Sequence, residues 1–182
     1  MRRDFLKMIQ RKVAVSALPG TALGGRGAAG AIAVARDVLA ELSLREFALC
    51  RASTFGRCLD GATDTLLRRL PRNAQGWGIA RRAVDLFLRE ALYDAYLREQ
   101  YRLHRTERWL ELPMDAAAAT YLRDADPAAS LPAWRGIRQL TPTQNAAWQG
   151  IASAVAQQMG LARVHLDLYI QQAAPKRERR GA

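Results

Sequence analysis

Two aspartates occupy positions where a carboxylate could do chemistry. Asp115 follows Pro113 and precedes the alanines at 116–119, whose high helix propensity predicts that a helix begins there. An aspartate at a helix start accepts N–H bonds from the first turn, which hold it ionised. Asp167 lies in an apolar segment beside His165, and a carboxylate in such surroundings needs a partner. Asp115 is therefore a helix cap or a catalytic carboxylate, and Asp167 is a cap or half of an ion pair.

The segment before Asp115 is rich in arginine. Apolar residues recur at spacings of three to five, which predicts one long amphipathic helix over about 78–103. The arginines on its other faces are expected to be solvated, as such arginines usually are. Asp85 and Arg89 have the spacing of an exposed i,i+4 ion pair. For Asp167 the candidate partners are Arg163 and the arginines of this helix, which are Arg81, Arg82, Arg89 and Arg98.

The charge balance of the whole chain favours a polyanionic partner. The 182 residues carry a formal net charge of +11, and lysine occurs only at positions 7, 12 and 176. Arginine binds phosphate through two parallel hydrogen bonds and stacks on bases, so nucleic acid is the first candidate and an anionic membrane surface the second. A compositional bias towards arginine and alanine explains the same counts without any ligand.

The remaining segments predict further helices and no strands. Proline, glycine and cap signals bound them, and no apolar and polar residues alternate as in a strand. We expect an all-α fold, a single compact domain of about eight helices over residues 1–174. The predicted segments are 3–18, 31–42, a short helix after Ser43, one from Thr63-Asp64 to Pro71, the helix of 78–103, one from Asp115 to about Arg123, one from Thr141-Pro142 to Gly160, and a last helix containing Leu168 and Ile170.

Two segments are candidates for contacts with phosphate. The glycine-rich stretch 20–30 is either a flexible turn or a loop that presents Arg26 and backbone amides to a phosphate. It lacks the Gly-Lys-Ser/Thr ending of a P-loop. The C-terminal segment 175–182 is predicted to be a disordered basic tail, and it contributes Arg177, Arg179 and Arg180 to the expected nucleic-acid-binding residues, together with Arg26 and Arg81.

Several other classes of site are not expected. Cys50 and Cys58 are too few for a disulfide framework and lack metal-ligand spacing, and only two histidines occur, so we expect no metal and no cofactor. No run of 18 apolar residues predicts a membrane span. Arg2-Arg3 begins a motif similar to a twin-arginine export signal, but Gln10, Arg11 and Lys12 interrupt the apolar segment that should follow. A cytoplasmic protein is therefore expected.

Three short motifs, in order, resemble the helix-hairpin-helix DNA glycosylase superfamily, and most closely its archaeal 8-oxoguanine DNA glycosylase type. In that type a helix carries a catalytic lysine and a second lysine two turns later, and Arg82 and Arg89 occupy those positions. About thirty residues on, a proline-containing turn supplies the catalytic aspartate, which the segment 111–115 resembles. Near the C-terminus, residues 164–167 resemble a Leu-His-x-Asp segment, with Gln171 where the family has a pocket tryptophan. The resemblance covers residues 77–171.

The departures from the family pattern restrict the activity that the resemblance implies. Bifunctional members attack the sugar with a lysine amine, and an arginine, which stays protonated, cannot form that Schiff base. Monofunctional relatives use only the aspartate, which would be Asp115. The base pocket implied by the resemblance contains Asp167, Gln171, Arg89 and Trp77, with Arg82 beside the catalytic Asp115. Trp77, Trp109 and Trp134 are either core residues or platforms for a flipped base.

Three functions remain open. The first is a DNA-binding protein that flips a damaged or modified base, acting as a monofunctional N-glycosylase through Asp115. The second is a catalytically inactive member that binds damaged DNA, with a possible protein partner in a larger assembly. The third is a helical interaction protein whose arginines only solvate its surface.

Overall fold

The computed structural model describes residues 3–20, 22–23 and 29–173, and helices joined by short turns account for most of them. No β-strand occurs within these ranges, so the prediction of an all-α fold is confirmed, with nine α-helices where about eight were expected. Five 3-10 turns lie between them, the longest irregular stretch being 126–136. The helices are α1 Arg3–Ala17, α2 Ala29–Ala40, α3 Leu44–Leu49, α4 Ala52–Arg69, α5 Trp77–Tyr93, α6 Ala95–Tyr101, α7 Ala116–Ala125, α8 Pro142–Gln158 and α9 Leu166–Ala173.

Helix α5 lies at the centre of the molecule, between two apolar clusters. The first cluster is built from α1 to α6 and includes Leu66 and Phe87. The second is built from α7, α8, α9 and the segment before α7, with Trp148 at its centre. Thirteen of the 17 residues of α5 are buried, so it has no broad solvated face. The prediction that its arginines are solvated is therefore wrong for Arg81 and Arg89, which are buried with the helix.

The predicted helix over 78–103 is interrupted at Asp94. This residue adopts an extended backbone conformation, ends α5 and begins α6. Its carboxylate accepts a hydrogen bond from the backbone N–H of Leu97 at 2.9 Å, which satisfies a first-turn donor of α6. The apolar spacing continues across the break, and for this reason the pattern alone did not reveal it.

The predicted helix start at Thr63-Asp64 is also wrong. Helix α4 begins eleven residues earlier at Ala52 and runs unbroken to Arg69. The Thr63 hydroxyl does not cap a helix, and instead bonds back to the carbonyl of Leu59 at 2.8 Å, four residues earlier within α4. Two glycines inside α4, Gly56 and Gly61, made its first half resemble a loop.

Other predicted helix starts are confirmed. Asp115 is the N-cap of α7 and accepts from the N–H of Ala118 at 2.8 Å. Thr141 caps α8, and its side chain and that of Gln144 bond to each other's backbone N–H groups in a capping box. Ser43 precedes α3, but its side chain forms no cap hydrogen bond.

Gly78 lies where α5 approaches the segment 137–140 most closely. A Cβ atom added there would overlap the carbonyl oxygen of Ile137 and lie 2.8 Å from Cβ of Leu140. We expect Gly78→Ala to destabilise the protein by about 1–3 kcal/mol, because backbone must move to admit the methyl group. Denaturant unfolding measures this. Gly150→Ala on the exposed side of α8 is the control, since nothing lies within 4 Å there, and it should be neutral or slightly stabilising. Equal stabilities of the two variants would contradict this packing.

Three features complete the description of the fold. No helix among the described residues is long and apolar enough to cross a membrane. Cys50 and Cys58 form a disulfide that ties the end of α3 to α4, a pairing that the sequence did not predict. Arg26 and the basic segment 175–182 lie outside the described residues, so the predictions made for Arg26, Arg177, Arg179 and Arg180 stay predictions.

Candidate functional site

A stripe of polar side chains runs along one side of α5, between the two apolar clusters. Arg82, Asp85, Arg89 and Tyr93 recur at three- and four-residue intervals, so they share one helix face. We call these four residues the polar seam. The seam faces the segment 110–115 and the turn before α9, as the contacts below establish. Two of its members, Arg82 and Arg89, are residues of the predicted site, and their partners Asp115 and Asp167 therefore lie against the same face of α5.

Arg82 binds the start of α7 through most of its guanidinium. Its Nη2 lies 2.9 Å from Oδ2 of Asp115, and its Nη1 donates to the carbonyls of Pro113 at 3.1 Å and Met114 at 2.8 Å. Its Nε donates to the carbonyl of Ala22 at 3.1 Å. Burial lowers the pKa of the Arg82 guanidinium from its ordinary value, and the neighbouring carboxylate of Asp115 opposes that shift. Arg82 therefore fixes the position and direction of the carboxylate.

The carboxylate of Asp115 is held in one orientation but remains accessible. Oδ1 accepts from the N–H of Ala118, and Oδ2 accepts from Arg82. The side chain of Asp115 is 37% exposed, against 14% for Arg82, so a ligand can approach the carboxylate from solvent. The N-terminus of a helix and an arginine both attract a negative charge. The arrangement supplies a fixed negative charge on the surface, partly neutralised by its arginine.

The segment 110–115 is held from both sides by polar side chains of α8 and of the turn before α9. Gln149 donates to the carbonyl of Leu112 at 2.8 Å and accepts from its N–H at 3.0 Å, which reproduces a pair of backbone hydrogen bonds. Asn145 donates to the carboxylate of Glu111 at 2.7 Å. Arg163 donates to the carbonyls of Leu110 and Trp109, each at 3.0 Å. This extended segment therefore has few free backbone groups and holds Asp115 rigidly.

The second predicted pair is also formed. Arg89 forms an ion pair with Asp167, and both side chains are less than 10% exposed. Gln171 donates to Oδ2 of Asp167 at 2.6 Å, so the residue at the family's tryptophan position binds the same carboxylate. Arg89 also contacts Glu90 at 2.7 Å. Of the alternatives left open for Asp167, a cap or an ion pair with Arg163 or with an arginine of the central helix, the structure shows the ion pair with the central helix. The predicted pair of Asp85 with Arg89 does not form among the described residues.

Arg81 does not lie on an open surface. It forms ion pairs with Asp60 and Glu111, and its guanidinium carbon lies 4.8 Å from the centre of the Trp77 ring. The side chain is 7% exposed, and it joins α4, α5 and the segment before α7. Two carboxylates already neutralise this cation, so its expected contact with phosphate would require these bonds to break. Trp77 is half-buried against the second apolar cluster.

Asp85 is the least satisfied member of the polar seam. It is 3% exposed, and neither carboxylate oxygen has a hydrogen-bond partner among the described residues. Burial raises the pKa of Asp85 well above its ordinary value, and the negative charge of Glu111 raises it further. Arg81, Arg163 and Arg82 oppose that shift. Sequence reasoning missed this residue because its spacing fits an exposed ion pair.

The far end of the polar seam is a hydrogen-bonded row of three side chains. The hydroxyl of Tyr93 lies 2.7 Å from Nδ1 of His165, and Nε2 of His165 lies 2.7 Å from Oε1 of Glu107. Burial raises the pKa of Tyr93, and the positive charge of Arg89 opposes the shift. Both ring nitrogens of His165 therefore have a partner. The row attaches the turn before α9 to the end of α5, next to Asp167.

The other two tryptophans weighed as stacking platforms also pack against neighbouring side chains. Trp109 packs on Phe55, with ring centres 5.8 Å apart, and is half-buried against the first apolar cluster. Trp134 packs edge-on against Trp148 in the second cluster at 6.3 Å. Both rings therefore contribute to core packing, and each keeps part of its surface exposed.

Comparison of the chain with known protein families, with curated proteins and with solved structures finds no match. What defines the protein is therefore its own architecture, an all-α fold in which a central helix carries a polar seam. Within the described residues no cluster of histidine, cysteine, aspartate and glutamate has the geometry of a metal site.

Proposed function

We propose that this protein binds DNA and accepts a flipped, damaged or modified base in the region bordered by Arg82, Asp115 and Asp167. Asp115 would act as the carboxylate of a monofunctional N-glycosylase. When the bond between the base and C1′ breaks, a cationic, oxocarbenium-like sugar develops, and a fixed negative charge stabilises it. Water then attacks C1′, so that its oxygen joins the sugar and one of its protons goes to the departing base. The observation that carries the proposal is the rigid, accessible Asp115 carboxylate at the start of α7, aligned by Arg82 from the central helix.

The charge of the chain supports DNA as the partner. The net charge of +11 is large for 182 residues, and duplex DNA binds such proteins mainly through phosphate contacts. A flipped nucleotide needs a site that is reached from the surface, and the exposed side of Asp115 meets that need. Asp167 is buried behind Arg89, so in this arrangement Gln171, which is exposed, is the member of that group that a base reaches first.

The alternative is a DNA-binding protein without glycosylase activity. Both oxygens of Asp115 already accept hydrogen bonds, and Arg82 neutralises part of the negative charge that catalysis would use. That pairing favours a structural role for the same two residues. The protein would then recognise damaged DNA and recruit a partner. The third hypothesis, an interaction protein whose arginines only solvate its surface, predicts weak binding to DNA.

A panel of duplexes with single modified bases separates these functions. We expect binding that weakens steeply with salt, because phosphate contacts release counterions. We expect base release from at least one duplex, and no adduct on treatment with borohydride, since arginine forms no Schiff base. Binding without base release on every duplex would favour the inactive alternative. Binding that is absent at low salt would exclude both DNA-directed functions, and a borohydride-trapped adduct would contradict the assignment of a monofunctional mechanism.

We propose the cytoplasm as the location of the protein. The disulfide between Cys50 and Cys58 is the feature that favours an oxidising compartment instead, because cytoplasmic thiols are usually kept reduced. In the cytoplasm the pair would be present as two thiols. Alkylation of freshly lysed cells would distinguish these two states, since only free thiols react.

A further inference from the structure

A cleft lined by arginines lies between the start of α4 and the turns that follow α6. Its volume is about 630 Å³. Every charged residue that lines it is an arginine, namely Arg51, Arg105 and Arg108, and its apolar wall includes Leu49 and Trp109. We call this the arginine cleft. A second depression of about 410 Å³ shares Arg105 and Arg108, so these two side chains stand on the ridge between both.

The cations of the arginine cleft are not neutralised within the described part of the chain. Arg51, Arg105 and Arg108 are exposed and form no ion pair there. By contrast, the buried Arg81 and Arg89 and the half-buried Arg82 each have a carboxylate partner. Glu107 lines the adjoining depression with Arg105 and Arg108, and its carboxylate is bound to Nε2 of His165 at 2.7 Å. Three unpaired guanidiniums in one concave site attract an anion with several oxygen atoms.

Two further features of the arginine cleft favour a ligand with both phosphates and flat apolar groups. Leu49 is 72% exposed and offers an apolar surface beside the arginines. The guanidinium of Arg108 lies over the ring of Trp109, 5.1 Å from its centre, while Arg163 and Phe55 hold Trp109 in place. A phosphodiester strand combines these properties, because its phosphates bind arginines and its bases stack on aromatic or apolar surfaces.

We propose that the arginine cleft binds the phosphate backbone of an unpaired DNA strand, with a base placed against Trp109 and Leu49. This inference deepens the proposed DNA binding and rests on it. It also assigns that binding to residues other than those that the sequence indicated. Arg81 is neutralised in the interior, whereas Arg105 and Arg108 have the exposure and the missing partners that a phosphate contact requires. The N-terminus of α4, at Ala52, lies at the same cleft and adds to its positive potential.

The test compares two charge-matched double variants in binding a fluorescent oligothymidylate by anisotropy over a range of salt concentrations. Arg105→Gln with Arg108→Gln removes two charges from the arginine cleft. Arg68→Gln with Arg69→Gln removes two charges from the opposite end of α4, about 25 Å from Ala52 at 1.5 Å per residue. Only the first variant is expected to weaken binding strongly. Its slope of log K against log salt should be shallower by about 1.4, or 0.7 for each lost phosphate contact on a single strand.

The outcomes separate this inference from the proposed function. If the two double variants lose affinity for the oligothymidylate equally, the arginine cleft is not the binding site, and the proposed DNA binding still stands. Binding of the modified duplexes without binding of the oligothymidylate would overturn the inference and leave the proposed function in place. If the wild-type protein binds neither, the proposed function fails, and titration with inorganic phosphate then tests the arginine cleft alone. A shift of the Trp109 indole N–H resonance with phosphate, absent in the Arg105→Gln, Arg108→Gln variant, would support an anion site. An unchanged resonance would overturn it.

Discussion

Asp115→Asn is expected to lower the rate of base release from a damaged duplex by about 100- to 1,000-fold, with the fold and the affinity for DNA largely retained. The substitution removes the negative charge that the proposed mechanism places opposite the cationic sugar. Asparagine is as good an N-cap as aspartate, because its single oxygen can still accept from the N–H of Ala118. The bond that the second carboxylate oxygen accepts from Arg82 is lost, but Arg82 keeps the carbonyls of Pro113 and Met114. The loss should therefore appear in the chemical step, measured under single-turnover conditions with enzyme in excess.

Asp94→Asn provides a matched control for this variant. Asp94 is also an N-cap aspartate, and it accepts from the N–H of Leu97 at 2.9 Å at the start of α6. It undergoes the same chemical change outside the polar seam, so its base release should remain within a few-fold of the wild-type rate. If Asp115→Asn still releases the base at the wild-type rate, Asp115 is not catalytic, and its role is that of a helix cap bound to an arginine.

The sequence predicted the carboxylate site better than the helix that positions it. Asp115 was expected as a cap from the proline before it and the alanines after it, and local rules of this kind hold whatever surrounds the helix. That Asp167 needs a partner followed from the cost of burying a lone carboxylate, but the sequence left open whether the partner was Arg163 or an arginine of the central helix. The cap rests on short-range chemistry, which a sequence reports directly, whereas the choice of Arg89 depends on tertiary packing.

The location of α5 could not be predicted in the same way. A stripe of apolar residues indicates which face of a helix is buried, but not that a second cluster covers the opposite face. The arginines were therefore assigned to solvent, whereas α7, α8 and α9 close over them. A signal was present in the small residues Gly78, Ala80 and Ala83, which permit close approach of other segments on several sides. The partners of Asn145 and Gln149 depend on this tertiary packing, and α8 alone does not reveal them.

Asp85→Asn is expected to make the protein more stable at neutral pH, with a difference from the wild type that grows as pH rises. The folded state holds the Asp85 carboxyl without a hydrogen-bond partner and nearly out of contact with water. Burial therefore raises the pKa of Asp85 well above the ordinary value of 3.8. Because the pKa is higher in the folded state, the Asp85 carboxyl loses its proton at a lower pH in the unfolded chain than in the folded protein.

The sign of the pH dependence follows from that order. Below pH 3.8 the carboxyl is neutral in both states, and it affects stability equally in each. Between 3.8 and the raised pKa the unfolded state is ionised and the folded state is not, so the wild type loses about 1.4 kcal/mol of stability per pH unit. Above the raised pKa the loss is constant. Asparagine does not titrate, so the variant avoids this loss and keeps a neutral group of the same shape.

Denaturant unfolding of both proteins at several pH values between acid and neutral measures this difference. Asp124→Asn, the same change at an exposed position of α7, is the control for altered net charge. The competing effect is the attraction of Asp85 to Arg81 and Arg163, which the substitution would also remove. Arg81 retains Asp60 and Glu111, and Arg163 retains two backbone carbonyls, so neither arginine is left without a partner. Two results would show that Asp85 is an ionised partner of these arginines. One is a difference in the free energy of unfolding between wild type and Asp85→Asn that does not change with pH, and the other is a variant that is less stable at every pH.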